Sequence, residues 1–168
     1  MNNIQTAFDQ LIADTAEVHR KFQVQAQALF KEITKEVFEK NPGITGIIWN
    51  QYTPYFNDGD SCEFRVNDAT FTNAPVEELC DIHYGEYEGE TEGVWSADNI
   101  RSVLERDYYL ETKELILASG GVDLDSCDLF SKVILSSEME PVMEAMFGDH
   151  VKVIATREGF EVEDCDHD

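Results

Sequence analysis

Positive charge is what this chain has least of. Only 12 of its 168 residues are Lys or Arg, against 35 Asp and Glu, for a formal net charge of -23. That shortage excludes a conventional nucleic-acid-binding surface, which needs a basic patch to neutralise phosphates. It also removes any electrostatic attraction to an anionic membrane. Long apolar runs are missing too: no stretch approaches the ~18 residues of a membrane span. The first ten residues, MNNIQTAFDQ, lack the basic start and apolar middle of a signal peptide. The expected location is therefore the cytoplasm. No two cysteines stand at C-x-x-C spacing. Cys62, Cys80, Cys127 and Cys165 are far apart, and in a reducing compartment they are expected to be free thiols. No G-x-S-x-G, H-E-x-x-H or phosphate-binding loop occurs. The chain is expected to work without catalysis and without a cofactor.

What remains is enough to fold. The hydrophobic fraction is 42%, and ten Phe, six Tyr and two Trp can fill an interior. No internal repeat or composition break divides the chain, so residues 1–168 are read as a single domain. Charge is distributed unevenly along it. Residues 1–40 carry five bases and six acids, residues 41–100 one base (Arg65) and twelve acids, and residues 101–168 six bases and seventeen acids. All but one of the net negative charges therefore lie beyond residue 40.

Apolar residues at Ile4, Phe8, Leu11, Ile12, Val18 and Phe22, then Ala26, Leu29, Phe30, Ile33, Val37 and Phe38, predict a helix over residues 4–40. Asn41-Pro42-Gly43 stops it. Such a helix would run roughly 55 Å at ~1.5 Å per residue, longer than a domain of this size is wide. Either it breaks near Gln23–Gln27 or part of it projects. Positions 4, 8, 11, 15, 18 and 22 step by four and three as in a coiled coil, but Thr15 occupies one of them and the pattern fails at Gln25. A core-facing amphipathic helix is the first reading, and a homo-oligomerisation helix is the alternative.

Residues 44–72 read as a hairpin around Asn57-Asp58-Gly59-Asp60, because Asp-Gly favours the positive φ of a tight turn. Its second strand alternates Cys62, Phe64 and Val66 against Glu63, Arg65 and Asn67. Residues 73–95 are the least regular. Ser96 is a candidate N-cap for a second helical region, and Asp123 or Asp125 for a shorter helix carrying Leu129, Phe130, Val133 and Ile134. Pro141 opens another, closed by Gly148. Residues 150–164 read as a closing hairpin turning at Arg157-Glu158-Gly159. The expected class is α+β: a long N-terminal helix and a mostly antiparallel sheet of about four strands, in two hairpins, covered by helices on one face.

Two stretches carry a resemblance: Trp49 to Phe64, of pattern W-x-x-Y-T-P-Y-F-N-D-G-D-x-C-x-F, and Phe147-Gly148-Asp149-His150 with the terminal Asp166-His167-Asp168. Together they resemble a group of small uncharacterised proteins of bacteriophage and bacterial genomes. The resemblance covers about a quarter of the chain. It implies a phage origin, and hence the host cytoplasm, and implies no activity.

The candidate sites follow from charge. Duplex DNA presents about one charge per ~1.7 Å, so twenty-three charges on one face would imitate roughly 40 Å of duplex. The expected function is an acidic binding protein that inhibits a host nucleic-acid-handling or defence protein through a basic surface on that partner. Glu86, Glu88, Glu90 and Glu92, which have no local base, and Asp58 and Asp60 at the hairpin tip are the expected contact residues. The alternative is a metal protein or enzyme using Cys80 and His83 at C-x-x-H spacing with Cys165 and His167 at C-x-H spacing. A calcium loop from Asp123 is disfavoured. Asp128 stands where the loop needs Gly and Ile134 where it needs Glu, so these acids are read as helix caps. His150 has Asp149 beside it to orient its ring. Trp49, Tyr52, Tyr55 and Phe56 either pack under the first turn or anchor an interface.

Overall fold

The computed structural model describes residues 2–56, 59, 61–82, 94–96 and 122–165. Its elements are α1 (Asn2–Lys40), β1 (Gly46–Tyr52), β2 (Arg65–Val66), β3 (Thr70–Thr72), a 3₁₀ turn (Val76–Asp81), β4 (Val94–Ser96), α2 (Leu124–Ile134), α3 (Glu140–Phe147), β5 (Val151–Thr156) and β6 (Gly159–Asp164). The class is α+β, and every pairing in the sheet is antiparallel.

The sheet is larger than the two expected hairpins. Its order is β4-β3-β1-β5-β6, with β2 also paired to β1, making six strands. Two departures account for the difference. The return strand of the first hairpin is split. Gln51 pairs with Val66, but Ile48 pairs with Thr70, so one extra residue is accommodated around Asn67-Asp68. This bulge reverses the alternation, and Val66, Ala69 and Phe71 all reach the same core. The second departure is β4. Ser96, expected to cap a helix, pairs with Thr70 at the end of a strand. The helix expected to follow it lies outside the described residues.

One face of the sheet carries the main core. Ile47, Trp49, Phe71, Val151, Val153 and Ala155 point toward Phe30, Val37 and Phe38 of α1, Phe130 and Ile134 of α2, and Met143 of α3. Phe30 is the hub, with ring centroids 6.1 Å from Trp49, 5.5 Å from Phe130 and 5.9 Å from Phe160. The edge-on arrangement with Trp49 places positive ring edge against negative face. Gln51, fully buried, ties sheet to helix. It accepts from the Trp49 indole N–H at 3.3 Å and donates to the Met143 and Gly148 carbonyls at the end of α3. The opposite face is covered more thinly, by Leu79 and Ile82 against Ile48 and Ile154.

The expected stop of α1 is present, and two distant segments hold it. The side-chain amide of Asn41 donates to the Val37 carbonyl and to Ser126 Oγ, while its oxygen accepts the Asp123 N–H at 2.6 Å. The Arg157 guanidinium donates to the carbonyls of Phe38, Asn41, Pro42 and Ile44 and lies over the Phe38 ring, 5.3 Å from its centroid. A cation thus meets the carbonyl end of the helix dipole, where helix carbonyls lack intrahelical donors. Asp123 caps α2 by accepting the Ser126 N–H at 2.9 Å, which is the capping role expected of it.

Candidate functional site

The largest unsatisfied feature of the described surface is the first half of α1. The helix does not break at Gln23–Gln27. It continues, and residues 4–22 are exposed without exception. Ile4 is 80% exposed, Phe8 58%, Leu11 60% and Val18 65%. Burial begins at Ala26 and becomes complete at Phe30. The core-facing reading therefore holds only for the C-terminal third of the helix. About 30 Å of it, at ~1.5 Å per residue, projects from the domain.

The projecting half holds its helical form by local pairs. Gln5 donates to Asp9 at 3.0 Å and Gln10 to Asp14 at 2.7 Å. Arg20 makes a two-pronged bond to Glu17, with Lys21 at 3.5 Å from the same carboxylate. The Arg20 hydrogen bond lowers the Glu17 pKa and raises that of Arg20. Such exposed pairs are screened by water and contribute little each. Where the stripe meets the domain, Phe22, Leu29 and Ile33 join Val133 and Met139 around an apolar cleft of about 470 Å³.

A second feature is the corner where the first hairpin meets β5. Tyr55 stacks on His150, centroids 4.8 Å apart and rings within 11° of parallel. Asp149 accepts N–H bonds from Thr53 and His150 and lies 3.5 Å from His150 Nε2. Partial burial pushes the Asp149 carboxyl up. The hydrogen bonds from Thr53 and His150, with the His150 charge, outweigh it and hold the group below the ordinary carboxylate value. His150 takes φ +55, a conformation that its N–H bond to Asp149 helps hold. The aromatics divide accordingly. Trp49 is core, while Tyr55 and Phe56 stay in solvent at 68% and 77% exposure.

The two cysteine-bearing segments of the metal alternative converge on the thin face of the sheet. Asn50 and Lys152 are direct neighbours across β1 and β5, and Lys152 and Glu163 across β5 and β6. Asn50 donates to Cys165 Sγ at 3.4 Å, and Lys152 Nζ donates to the Cys80 carbonyl at 2.6 Å while pairing with Glu163 at 3.3 Å. The ammonium, only 6% exposed as a residue, puts a positive charge between the segments, which disfavours a metal cation there. His83 and His167 lie outside the described residues. Among the described residues no three His, Cys, Asp or Glu groups gather in a metal-binding arrangement. None of Cys62, Cys80, Cys127 and Cys165 forms a disulfide. Burial, with Asp123 and Asp128 nearby, pushes the Cys127 thiol up to about 12, so it is an inert core group.

The expected contact residues Glu86, Glu88, Glu90, Glu92, Asp58 and Asp60 also lie outside the described residues. Gly59 between the last two takes the positive φ of +98. Tyr52, however, pairs with Arg65 and the return strand starts there, so twelve residues separate the strands in place of the expected tight turn, and Cys62 and Phe64 lie outside the strand. Sequence reasoning missed the roles of Lys152, Arg157 and Asn41. The Lys152–Glu163 pairing was within reach, because a two-residue turn at Arg157-Glu158 places Lys152 opposite Glu163. The Arg157 and Asn41 contacts span more than eighty residues and left no local signal. Among the described residues no helix is long and apolar enough to cross a membrane. No protein-family model, curated protein or solved structure matches the chain.

Proposed function

We propose that this protein acts by binding, as a phage-encoded acidic inhibitor of a host nucleic-acid-handling or defence protein with a basic surface. One observation carries the reading. Beyond residue 40 the described residues hold sixteen carboxylates and four bases, Arg65, Lys132, Lys152 and Arg157. Lys152 is buried and cancelled by Glu163, while the exposed Arg157 donates to neutral carbonyls at the end of α1. The described part of the domain therefore keeps an excess of twelve carboxylates over bases. An acidic surface of this kind attracts a basic groove and competes with nucleic acid for it.

The test is capture from host lysate on immobilised full-length protein, washed at low and at high salt. The expected result is one nucleic-acid-binding protein that salt releases and that added duplex displaces, because screening weakens charge-driven association. Capture that salt leaves intact overturns the electrostatic reading. Reversal of Glu86, Glu88, Glu90 and Glu92 to lysine is expected to weaken that binding while the unfolding midpoint stays put. An unchanged affinity removes those residues from the contact surface.

A further inference from the structure

We infer that the projecting half of α1 pairs antiparallel with α1 of a second copy of this chain, leaving the two acidic domains at opposite ends of the assembly. The exposed series Ile4, Phe8, Leu11, Val18, Phe22 and Leu29 keeps alternate steps of four and three, with Thr15 and Gln25 filling the remaining positions. That is the seam spacing of a two-helix coiled coil. Side chains at these exposures present on the order of 800 Å² per chain, the share each partner contributes to a standard-size interface. A monomer rarely leaves so large a continuous apolar strip in water.

Two charge arguments select a second copy in the antiparallel sense. Opposing Leu11 to Phe22 and Thr15 to Val18 of the second copy also opposes Ile4 to Leu29. In this register Asp14 meets Lys21 of the second copy along the seam edge, and the twofold axis repeats the pair. Lys21 is free to turn, being 64% exposed in its side chain and held only by the 3.5 Å contact with Glu17. In a parallel pair Asp14 would face His19 and Lys21 would face Ala26, so no lysine would meet a carboxylate. The parallel pair would also place side by side two domains that hold nearly all of the net charge of -23 per chain. Their repulsion acts within about one Debye length, roughly 8–10 Å at ordinary salt, and the antiparallel pair removes it. The apolar cleft beside Leu29, Ile33, Val133 and Met139 then lies where Ile4 of the second copy ends.

The test uses the full chain. Sedimentation equilibrium from micromolar to hundreds of micromolar is expected to show a dimer, and a monomer throughout overturns the inference. Leu11→Asp, a residue 60% exposed and touching no core, is expected to weaken dimerisation at least about a hundredfold. Circular dichroism of the core aromatics is expected to stay unchanged, and full dimerisation by this variant also overturns the inference. Orientation is read by a charge cycle. Asp14→Lys is expected to weaken the dimer about tenfold, and Asp14→Lys with Lys21→Asp to restore it. Failure of the double variant to restore, or small-angle scattering from a compact dimer with adjoining domains, overturns the antiparallel arrangement.

Discussion

The two halves of α1 read alike in sequence and end in opposite environments. Residues 4–22 and 26–38 both place large apolar side chains at helical spacing. The second half buries Phe30, Val37 and Phe38 against Trp49, Phe130 and Phe160, whereas residues 4–22 are exposed within the chain. Amphipathic periodicity specifies a sticky face and says nothing about who supplies its cover. The second half is covered because Asn41, Arg157 and Ser126 lock its end to the sheet and to α2. No described element reaches past Ala26 to cover the first.

The largest test of that contrast is a matched truncation. Phe30→Ala is expected to lower unfolding free energy by about 3–5 kcal/mol, the cost of emptying an aromatic core site. Phe8→Ala, measured at concentrations where the chain is monomeric, is expected to stay within about 0.5 kcal/mol of the parent. Urea denaturation of both variants checks it, and comparable losses would erase the distinction between the halves.

The lock gives an intermediate effect. Asn41→Ala removes three side-chain hydrogen bonds at a fully buried position and is expected to cost about 2–3 kcal/mol. Arg157→Ala frees the terminal carbonyls of α1 and is expected to cost about 1–2 kcal/mol. Hydrogen exchange should show protection lost over Val37–Lys40 in both variants, with no change over Ile4–Phe22. In the Leu11→Asp chain the first half is expected to exchange rapidly, because a short helix without tertiary cover is marginal in water. Slow exchange there would mean that the projecting half is stable on its own.

The smallest effect is a pH difference. Asp149 in the folded domain is held below its ordinary value, so it stabilises the fold above the unfolded carboxylate pKa of about 3.9. That contribution is lost as pH falls through the lower folded value. Asp149→Asn is expected to be slightly less stable than the parent at neutral pH and equally stable once both are acidified below the folded pKa. Thermal unfolding across that range checks it. Glu17, paired with Arg20 on the projecting half, is expected to leave the unfolding midpoint of the domain unmoved when changed to Gln.

Much of the architecture was legible locally. Gly59 and the Arg157-Glu158 pair mark turns through backbone preference, Asn41-Pro42-Gly43 ends a helix, and Asp123 caps one. Each of these acts through neighbours a few residues away. The bulge at Asn67-Asp68 was not legible, because its alternation error becomes visible only when Val66 and Phe71 are seen on one core. Strand β4 was missed because Val94-Trp95-Ser96 is too short to declare a period and becomes a strand by pairing with Thr70–Thr72. The candidate interface was half legible: the stripe and its coiled-coil spacing stood in the sequence, but its exposure did not.

By itself, the sequence determined the α+β class, the stop of α1 at Asn41-Pro42-Gly43 and the cap of α2 at Asp123, the strong negative charge and the apolar face of α1. These follow from backbone stereochemistry, from side-chain periodicity and from counting ionisable groups. Tertiary structure alone decided which stretch of that face is buried. It also decided that Lys152 is buried against Glu163 and that Arg157 closes the end of α1. Both outcomes depend on which distant segments meet, and a local pattern carries no record of that.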